Sequence, residues 1–339
     1  KKLFFAYNIF TETSSQKKIT FPLIGLALVL FIIGLIIVTP TYHHKFKITN
    51  LSTGFSSASF IEFPDETFWL IDGAVNIEGE YRHPFARRNE GEQTVLQFLI
   101  SKRITKLDGV ILTSLEKEHI SGLISVLQYI EVKKIYDPVA PESVNPKMNI
   151  KDFFEAIGDF YLKDNSDKWW VKEYYTNYMD YLKIIKKQGI KHLKAKADET
   201  ILNKDYKGKK MMITFLNPQE KNFYKLNDNS VVVKFSYGNH SIIFTSDISY
   251  NVIDYFNKFD NKSQFVCDIL VYPNHGYLEL DKKSEITLEE SISNLINLFQ
   301  PKYVVVQYGS PAKVLGMRRS RAFKKKMEES KNIIESLGV

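Results

Sequence analysis

Leu107-Asp108-Gly109-Val110-Ile111-Leu112-Thr113-Ser114-Leu115-Glu116-Lys117-Glu118-His119-Ile120-Ser121-Gly122-Leu123 is the stretch on which the reading of this chain turns. Gly109 to Leu112 has the apolar character of a buried strand, Ser114 to His119 is a loop of charged side chains, and Ile120-Ser121-Gly122 is a small-residue helix start. A strand that delivers carboxylates and an imidazole into such a loop is a place for metal ligands. Glu116, Glu118 and His119 are the candidates it offers. Three charges in a row also suit a solvated loop, so that alternative stands beside ligation.

Working outward, Gly91 to Lys102 sets Val95, Leu96, Phe98 and Leu99 at helical spacing ahead of the strand. Further upstream, Lys45 to Thr49 and Ala58 to Phe63 read as strands parted by the small-residue loop Ser52 to Ser57. A turn at Pro64-Asp65-Glu66 leads to a third strand, Phe68-Trp69-Leu70-Ile71, closing on Asp72-Gly73. Downstream, Leu123 to Tyr129 continues as a helix and Lys134-Ile135-Tyr136 as a strand, an alternation that predicts a layered α/β domain. Residues 150–188 mix aromatics (Phe153, Phe154, Trp169, Trp170, Tyr174, Tyr178, Tyr181) with lysine and acid at helical spacing, broken near Asp164-Asn165-Ser166. They are expected to form a helical insertion whose aromatic stripe packs on the core, with base stacking as the alternative. Strands resume at Met211 to Leu216, Ser230 to Tyr237, Ser241 to Thr245 and Ile269 to Tyr272. A helix around Leu288 to Leu298, a strand at Tyr303 to Gln307 and a basic helix around Arg319 to Leu337 follow. Two successive halves, each a β-meander plus helix, fit this order.

The chain has 339 residues, 25% charged and 14% aromatic, with a formal net charge of +7. That is ordinary globular composition with a weak preference for anionic partners. The single cysteine, Cys267, excludes an intrachain disulfide and a multi-cysteine zinc site, and its strand-like surroundings mark it as a core residue. No phosphate-binding Gly-Lys-Ser/Thr loop, Gly-x-Ser-x-Gly elbow or dinucleotide fingerprint is present.

Residues 21–38 carry no charge, and the uncharged stretch extends over 19–42. At roughly 20 apolar residues per bilayer crossing this predicts a transmembrane helix. A cleaved signal peptide is the alternative, but no small-x-small site follows. Lys1, Lys2, Lys17 and Lys18 precede the span, which by the positive-inside rule leaves residues 1–18 in the cytoplasm and the large domain outside the cell membrane. The chain opens on Lys1, and the apolar patch Leu3 to Phe10 leaves open a fragment whose upstream part carries more membrane helices.

From residue 45 to about 310 the chain resembles the metallo-β-lactamase-fold domain of the ComEC family, competence proteins that bring DNA across bacterial membranes. The residues that carry the resemblance run in order. Asn50-Leu51-Ser52-Thr53-Gly54-Phe55-Ser56 stands in the place of Asp-Val-Gly-Gln-Gly-Asp-Ser, Leu70-Ile71-Asp72-Gly73-Ala74 is similar to Leu-Ile-Asp-Gly-Gly, and Leu107 to Thr113 to Leu-Asp-Gly-Val-Ile-Leu-Thr. Phe215-Leu216-Asn217-Pro218, Asn227 to Val232, Ile243 to Ile248 and Asp268 to Gly276 resemble later family elements. The superfamily ends the first-half strand in Thr-His-x-His-x-Asp-His, and here Ser114, Glu116 and Glu118 replace the first two histidines and the aspartate.

The resemblance implies a four-layer αββα sandwich over 45–312, preceded by the transmembrane helix and followed by a basic helix over 313–339. It implies metal ligation by His119, His275 and Asp247, with Asp72, Glu116 and Glu118 as possible substitutes, and catalytic roles for Asp247 and His119. Such a reduced, oxygen-rich set suits manganese or magnesium better than zinc, or holds no metal at all. Each residue has a plainer alternative as a turn cap or packed side chain. The loss of both acids at Asn50 and Phe55, and of a Gly-His-Pro element near Gly309-Ser310-Pro311, points to weakened catalysis. Three functions follow: a membrane-anchored, DNA-uptake protein that binds DNA with lost or weakened hydrolysis, a metal-dependent phosphodiesterase or nuclease, and a scaffold among the membrane subunits of an uptake complex. Arg318, Arg319, Arg321 and Lys324 are the candidate phosphate contacts.

Overall fold

Alternating side chains along short strands build two sheets that share one apolar seam. The computed structural model describes residues 23–32, 44–54, 56–76, 89–219, 223, 225–280, 285–307 and 316–339. Two units are distinguished, Lys1–His43 and His44–Val339. In the first, residues 23–32 are helical. Among the described residues no helix is long and apolar enough to cross a membrane. The rest of the span expected over 19–42, and residues 1–18, lie outside the described residues, as do Phe55 and Gly309-Ser310-Pro311.

In the second unit the first sheet is ordered β1 (Lys47–Asn50), β2 (Ser59–Glu62), β3 (Phe68–Ile71), β5 (Gly109–Ile111), β7 (Lys134–Asp137) and β8 (Lys191–Lys194). Its first three strands are antiparallel and the rest parallel. Two short strands, β4 (Lys106–Leu107) and β6 (Glu131–Val132), pair beside it. The second sheet runs β9 (Thr200–Tyr206), β10 (Lys209–Asn217), β11 (Val232–Tyr237), β12 (His240–Phe244), β13 (Ile269–Val271) and β14 (Tyr303–Val305), antiparallel through β12 and parallel beyond it. Each sheet therefore passes from a meander to crossover connections, as the two-half reading predicts. Neither β8 nor β9 was foreseen, because Lys191–Lys194 and Thr200–Tyr206 are polar edge strands with little apolar signal.

Period-two alternation divides the first sheet's side chains between two covers. Ile61, Trp69, Ile71, Ile111 and Tyr136 meet Met211, Ile213, Phe215, Val233, Phe235 and Phe244 between the sheets. Their neighbours Phe60, Leu70, Val110 and Ile135 are equally buried on the other face. There lie a π-helical turn (Gly91–Leu96) running into α1 (Gln97–Ser101), then α2 (Lys117–Tyr129), with the Phe60 ring 5.5 Å from Phe98. Residues 150–188 fold as α3 (Ile150–Ala156), α4 (Phe160–Asp164) and α5 (Trp169–Gln188), and α5 packs along α2. Phe153, Phe154, Tyr178 and Tyr181 of this insertion are buried, while Trp169 is 73% exposed. The inward turn of these rings favours packing over base stacking.

The second sheet's outer face is covered by α6 (Tyr250–Asn257), α7 (Leu288–Phe299) and α8 (Gly316–Ser336), through a core that includes Leu270, Ile253, Phe256, Leu295, Phe299 and Ile334. Each such buried side chain contributes about 1.5–3 kcal/mol. Helix, sheet, sheet and helix make four layers, αββα. Cys267 lies in the same core, where burial pushes its thiol up to about 12 and leaves it unreactive.

Candidate metal centre

The carboxyl ends of β3, β5, β12 and β13 converge, and the residues just beyond them face one another across the seam between the sheets. Such ends are where α/β sheets place ligands, because the chain turns away there and leaves a crevice. Glycine sets the approach of α2. A Cβ on Gly122 would stand 2.3 Å from the Gly73 carbonyl oxygen, and one on Gly73 would stand 2.2 Å from Leu123 Cα. Backbone bonds from Gly73 N–H to the His119 carbonyl (2.8 Å) and from Gly122 N–H to the Ala74 carbonyl (2.9 Å) lock the helix start onto the strand end. The small-residue start in the sequence is thus what lets His119 sit over Asp72.

Asp72 is 1% exposed and both its oxygens are taken. Oδ1 accepts from the Thr113 N–H at 2.7 Å, and Oδ2 accepts from Thr113 Oγ1 at 2.8 Å and from His119 Nδ1 at 2.8 Å. Ser246 extends the chain by donating to Thr113 Oγ1 at 2.7 Å. Asp72, a candidate ligand by sequence, therefore holds the far side of the imidazole. A carboxylate on Nδ1 fixes the ring's orientation and leaves Nε2 as the ligand atom.

His119 Nε2 points at Asp247 Oδ2, 2.9 Å away. Both atoms are buried and neither makes an aligned hydrogen bond. Their separation is that of a buried ion pair, and it also brings an imidazole nitrogen and a carboxylate oxygen, both metal-ligand types, within reach of one cation. His275 completes the group: a ligand atom from each of His119, Asp247 and His275 lies within 4.8 Å of the others. All three are buried, and they line a pocket with room for something the size of a water or an ion. His275 sits in a turn, Asn274–Gly276, where both Asn274 (φ 49°) and His275 (φ 54°) are left-handed. Asp72 and Ser246 are left-handed too, and strain of about 1–3 kcal/mol per such residue concentrates at functional sites.

Electrostatics sharpen the picture. Burial opposes a charge on His119, but the carboxylates of Asp247 and Asp72 outweigh it and raise the imidazole well above its ordinary value. Burial likewise opposes the Asp247 carboxylate, yet His119, His275 and the Ser114 hydroxyl bring it down to about 2. His275 is pulled down to about 4 by burial and is a neutral ring. An arriving cation would take the place of the proton on His119, as ligand atoms must be deprotonated.

Glu116 and Glu118 are not grouped with His119, Asp247 and His275. Glu116 Oε1 accepts from Asn227 Nδ2 at 2.8 Å and from the Tyr174 hydroxyl at 3.1 Å, bridging α5, the β5–α2 loop and the second half. Burial, then Asp247 and Glu118, raise the Glu116 carboxyl to about 8. Burial raises Glu118 as well. Ser114, at the first histidine position of the superfamily pattern, hydrogen-bonds Asp247. Asn217 gives its amide to the carbonyls of Asp228 (2.9 Å) and Ser230 (2.7 Å). The helix α8 contains Arg318, Arg319 and Arg321, whose side chains lie outside the described residues; Lys324 is exposed and pairs with Glu328 at 3.7 Å.

No family model and no curated protein matches the chain. Among solved structures it is similar to a putative metal-dependent hydrolase from Parabacteroides distasonis, with 12% identity, 87% of this chain and 96% of that chain covered, and a TM-score of 0.41. It is similar to the metallo-beta-lactamase fold protein YhfI from Bacillus subtilis, with 12% identity, 77% and 98% covered and a TM-score of 0.37. For CmlA, a diiron beta-hydroxylase from Streptomyces venezuelae, identity is 10%, the TM-score 0.42 and coverage 79% of this chain, which spans 46% of that one. With scores below 0.5 these likenesses are loose, and the description of the site rests on its own geometry.

Thr113, Ser114, Ser246, Asn227 and Tyr174 were not foreseen as parts of the centre. Thr113 closes the strand that carries the ligand loop, a position that signals it. Tyr174 lies 58 residues from Glu116 in the chain, and nothing in the sequence pairs them.

Proposed function

We propose that this domain is a metal-dependent hydrolase of the metallo-β-lactamase type, built on a single cation held by His119, Asp247 and His275. The observation that carries the reading is the pair of buried, unaligned ligand atoms, His119 Nε2 and Asp247 Oδ2, 2.9 Å apart. In the metal-free chain these two groups have their ion pair with each other and no aligned hydrogen bond, and a cation would replace the proton they share. Three protein ligands also match the count of catalytic sites, which keep positions open. Two imidazoles and one carboxylate suit zinc or manganese better than magnesium, which prefers oxygen.

The ion, when bound, supplies Lewis acidity and a nucleophile available at neutral pH. The chain's own residues do the rest. Asp72 keeps the His119 proton on Nδ1, so that Nε2 faces the ion. Thr113 and Ser246 hold Asp72, and Ser114 steadies Asp247. The Gln307 backbone accepts from the His275 ring, the second partner that a ligating imidazole ordinarily has. Glu116, fixed by Tyr174 and Asn227, is the nearby carboxyl able to move a proton.

The test is metal content of the purified chain after incubation with zinc, manganese or magnesium, beside an Asp247→Ala, His119→Ala double variant. About one equivalent bound by the wild type and lost in the variant supports the reading; no metal under any condition refutes it. The ComEC-type role in DNA uptake and the membrane anchor are a second reading. It is favoured by the order of the motif residues, by Lys324 and Lys325 exposed on α8, and by the exposed apolar side chains of residues 23–32. Salt-dependent DNA binding and co-flotation with lipid vesicles test it.

A further inference from the structure

His275 is presented by two successive left-handed, non-glycine residues, a backbone that survives only where its surroundings fix it. On one side the fixing is local: the Asn274 N–H donates to the Ser246 carbonyl at 2.8 Å, and the Gly276 N–H to Pro273 at 3.1 Å. On the other side stands α8. A Cβ on Gly276 would meet Val306 Cγ1 at 2.6 Å and Met327 Cγ at 2.8 Å, so the turn is pressed directly against the helix. One residue further on, Lys326 Nζ lies 4.2 Å from the centre of the Tyr277 ring. Three residues before His275, the buried Tyr272 hydroxyl lies beside Ser330, which is 1% exposed, and neither hydroxyl makes an aligned hydrogen bond. Tyr272 also lines the pocket of the candidate centre. Contacts from α8 thus bracket the ligand turn at Tyr272, Gly276 and Tyr277.

We propose that α8 is a positioning element of the metal centre, in which Met327 and Ser330 hold the left-handed turn that presents His275 to the ion. This rests on the single-cation reading above. Packing partners behind a ligand act on its orientation as hydrogen-bonded outer partners do, whose removal changes metal affinity by about 10–100-fold. The consequence is that shaving α8 where it touches the turn weakens metal binding out of proportion to its effect on the fold.

The experiment uses the full chain and compares Met327→Ala and Ser330→Ala with Ile334→Ala. Ile334 belongs to the same helix and core, about two helical turns beyond Met327. Zinc affinity is measured by competition with a chelator, the visible spectrum of the cobalt-loaded protein reports ligand geometry, and thermal unfolding of the metal-free chain reports the fold. Met327→Ala is expected to lower affinity at least about tenfold and to alter the cobalt spectrum, and Met327→Leu to restore both. Ile334→Ala is expected to lower the unfolding temperature and leave affinity and spectrum as in the wild type. Unchanged affinity in Met327→Ala and Ser330→Ala, or an equal loss in Ile334→Ala, overturns the role of α8 while the metal centre stands. A wild-type chain that binds neither zinc nor cobalt overturns both.

Discussion

Replacing Asp72 by asparagine changes one atom and sets two hydrogen-bond requirements against each other. In the native chain Oδ1 accepts from the Thr113 N–H at 2.7 Å, and Oδ2 accepts from Thr113 Oγ1 and His119 Nδ1, each at 2.8 Å. A backbone N–H cannot reverse its role, so the amide oxygen must stay on Thr113 N and the NH₂ must face His119. Thr113 Oγ1 can rotate to accept. The imidazole can accept only by giving up its Nδ1 proton and keeping the one on Nε2, the atom that faces Asp247. Ligation then requires the less stable tautomer or a broken hydrogen bond. With a charge-assisted bond worth about 1.5–3 kcal/mol, zinc affinity should fall by about 10–100-fold. Chelator competition on Asp72→Asn measures the affinity, and nitrogen chemical shifts of the His119 ring read the tautomer directly. Affinity within about twofold of wild type, or a His119 ring still protonated on Nδ1, would refute the orienting role of Asp72.

Gly122→Ala places a methyl group 2.3 Å from the Gly73 carbonyl oxygen; overpacking against backbone should cost at least about 1–3 kcal/mol in chemical denaturation, and a neutral result would mean that α2 is free to shift. Away from the centre, Asp137 is fully buried and accepts from His192 Nε2 at 2.7 Å, which raises the His192 imidazole above its ordinary value despite burial. Its unfolded value is about 6.5, so the pair's contribution is fully present below that and is lost as pH rises through the higher folded value. Denaturation of the wild type and His192→Gln at pH 6 and pH 8.5 should show a difference that shrinks with pH, and a constant difference would contradict the ion pair.

The arrangement of layers was legible because burial on both faces of β3, β5 and β7 leaves continuous apolar runs such as Gly109 to Leu112. The convergence of His119, Asp247 and His275 was implied by the motif resemblance. What the sequence could not separate were the roles of the carboxylates. Asp72, Glu116 and Asp247 are chemically alike, and only their partners divide them into a carboxylate on the far side of His119, a carboxyl held by Tyr174 and Asn227, and one grouped with His119 and His275. The polar edge strands β8 and β9 escaped because solvent-facing strands carry no apolar period. The contact of α8 with the His275 turn escaped because Met327 and Gly276 are 51 positions apart in the chain.

The three residues of the proposed centre come from different halves of the chain: His119 follows the first sheet's β5, and Asp247 and His275 follow β12 and β13 of the second. An ion among them would act as a clasp across the seam, joining two sheets otherwise held by apolar packing and a few polar links such as Ser246 to Thr113. At a free concentration a hundred times its dissociation constant, a bound ion adds about 2.7 kcal/mol to folding stability. The same residues would then govern how long the protein survives proteases under metal starvation, coupling its lifetime to the supply of the ion it uses.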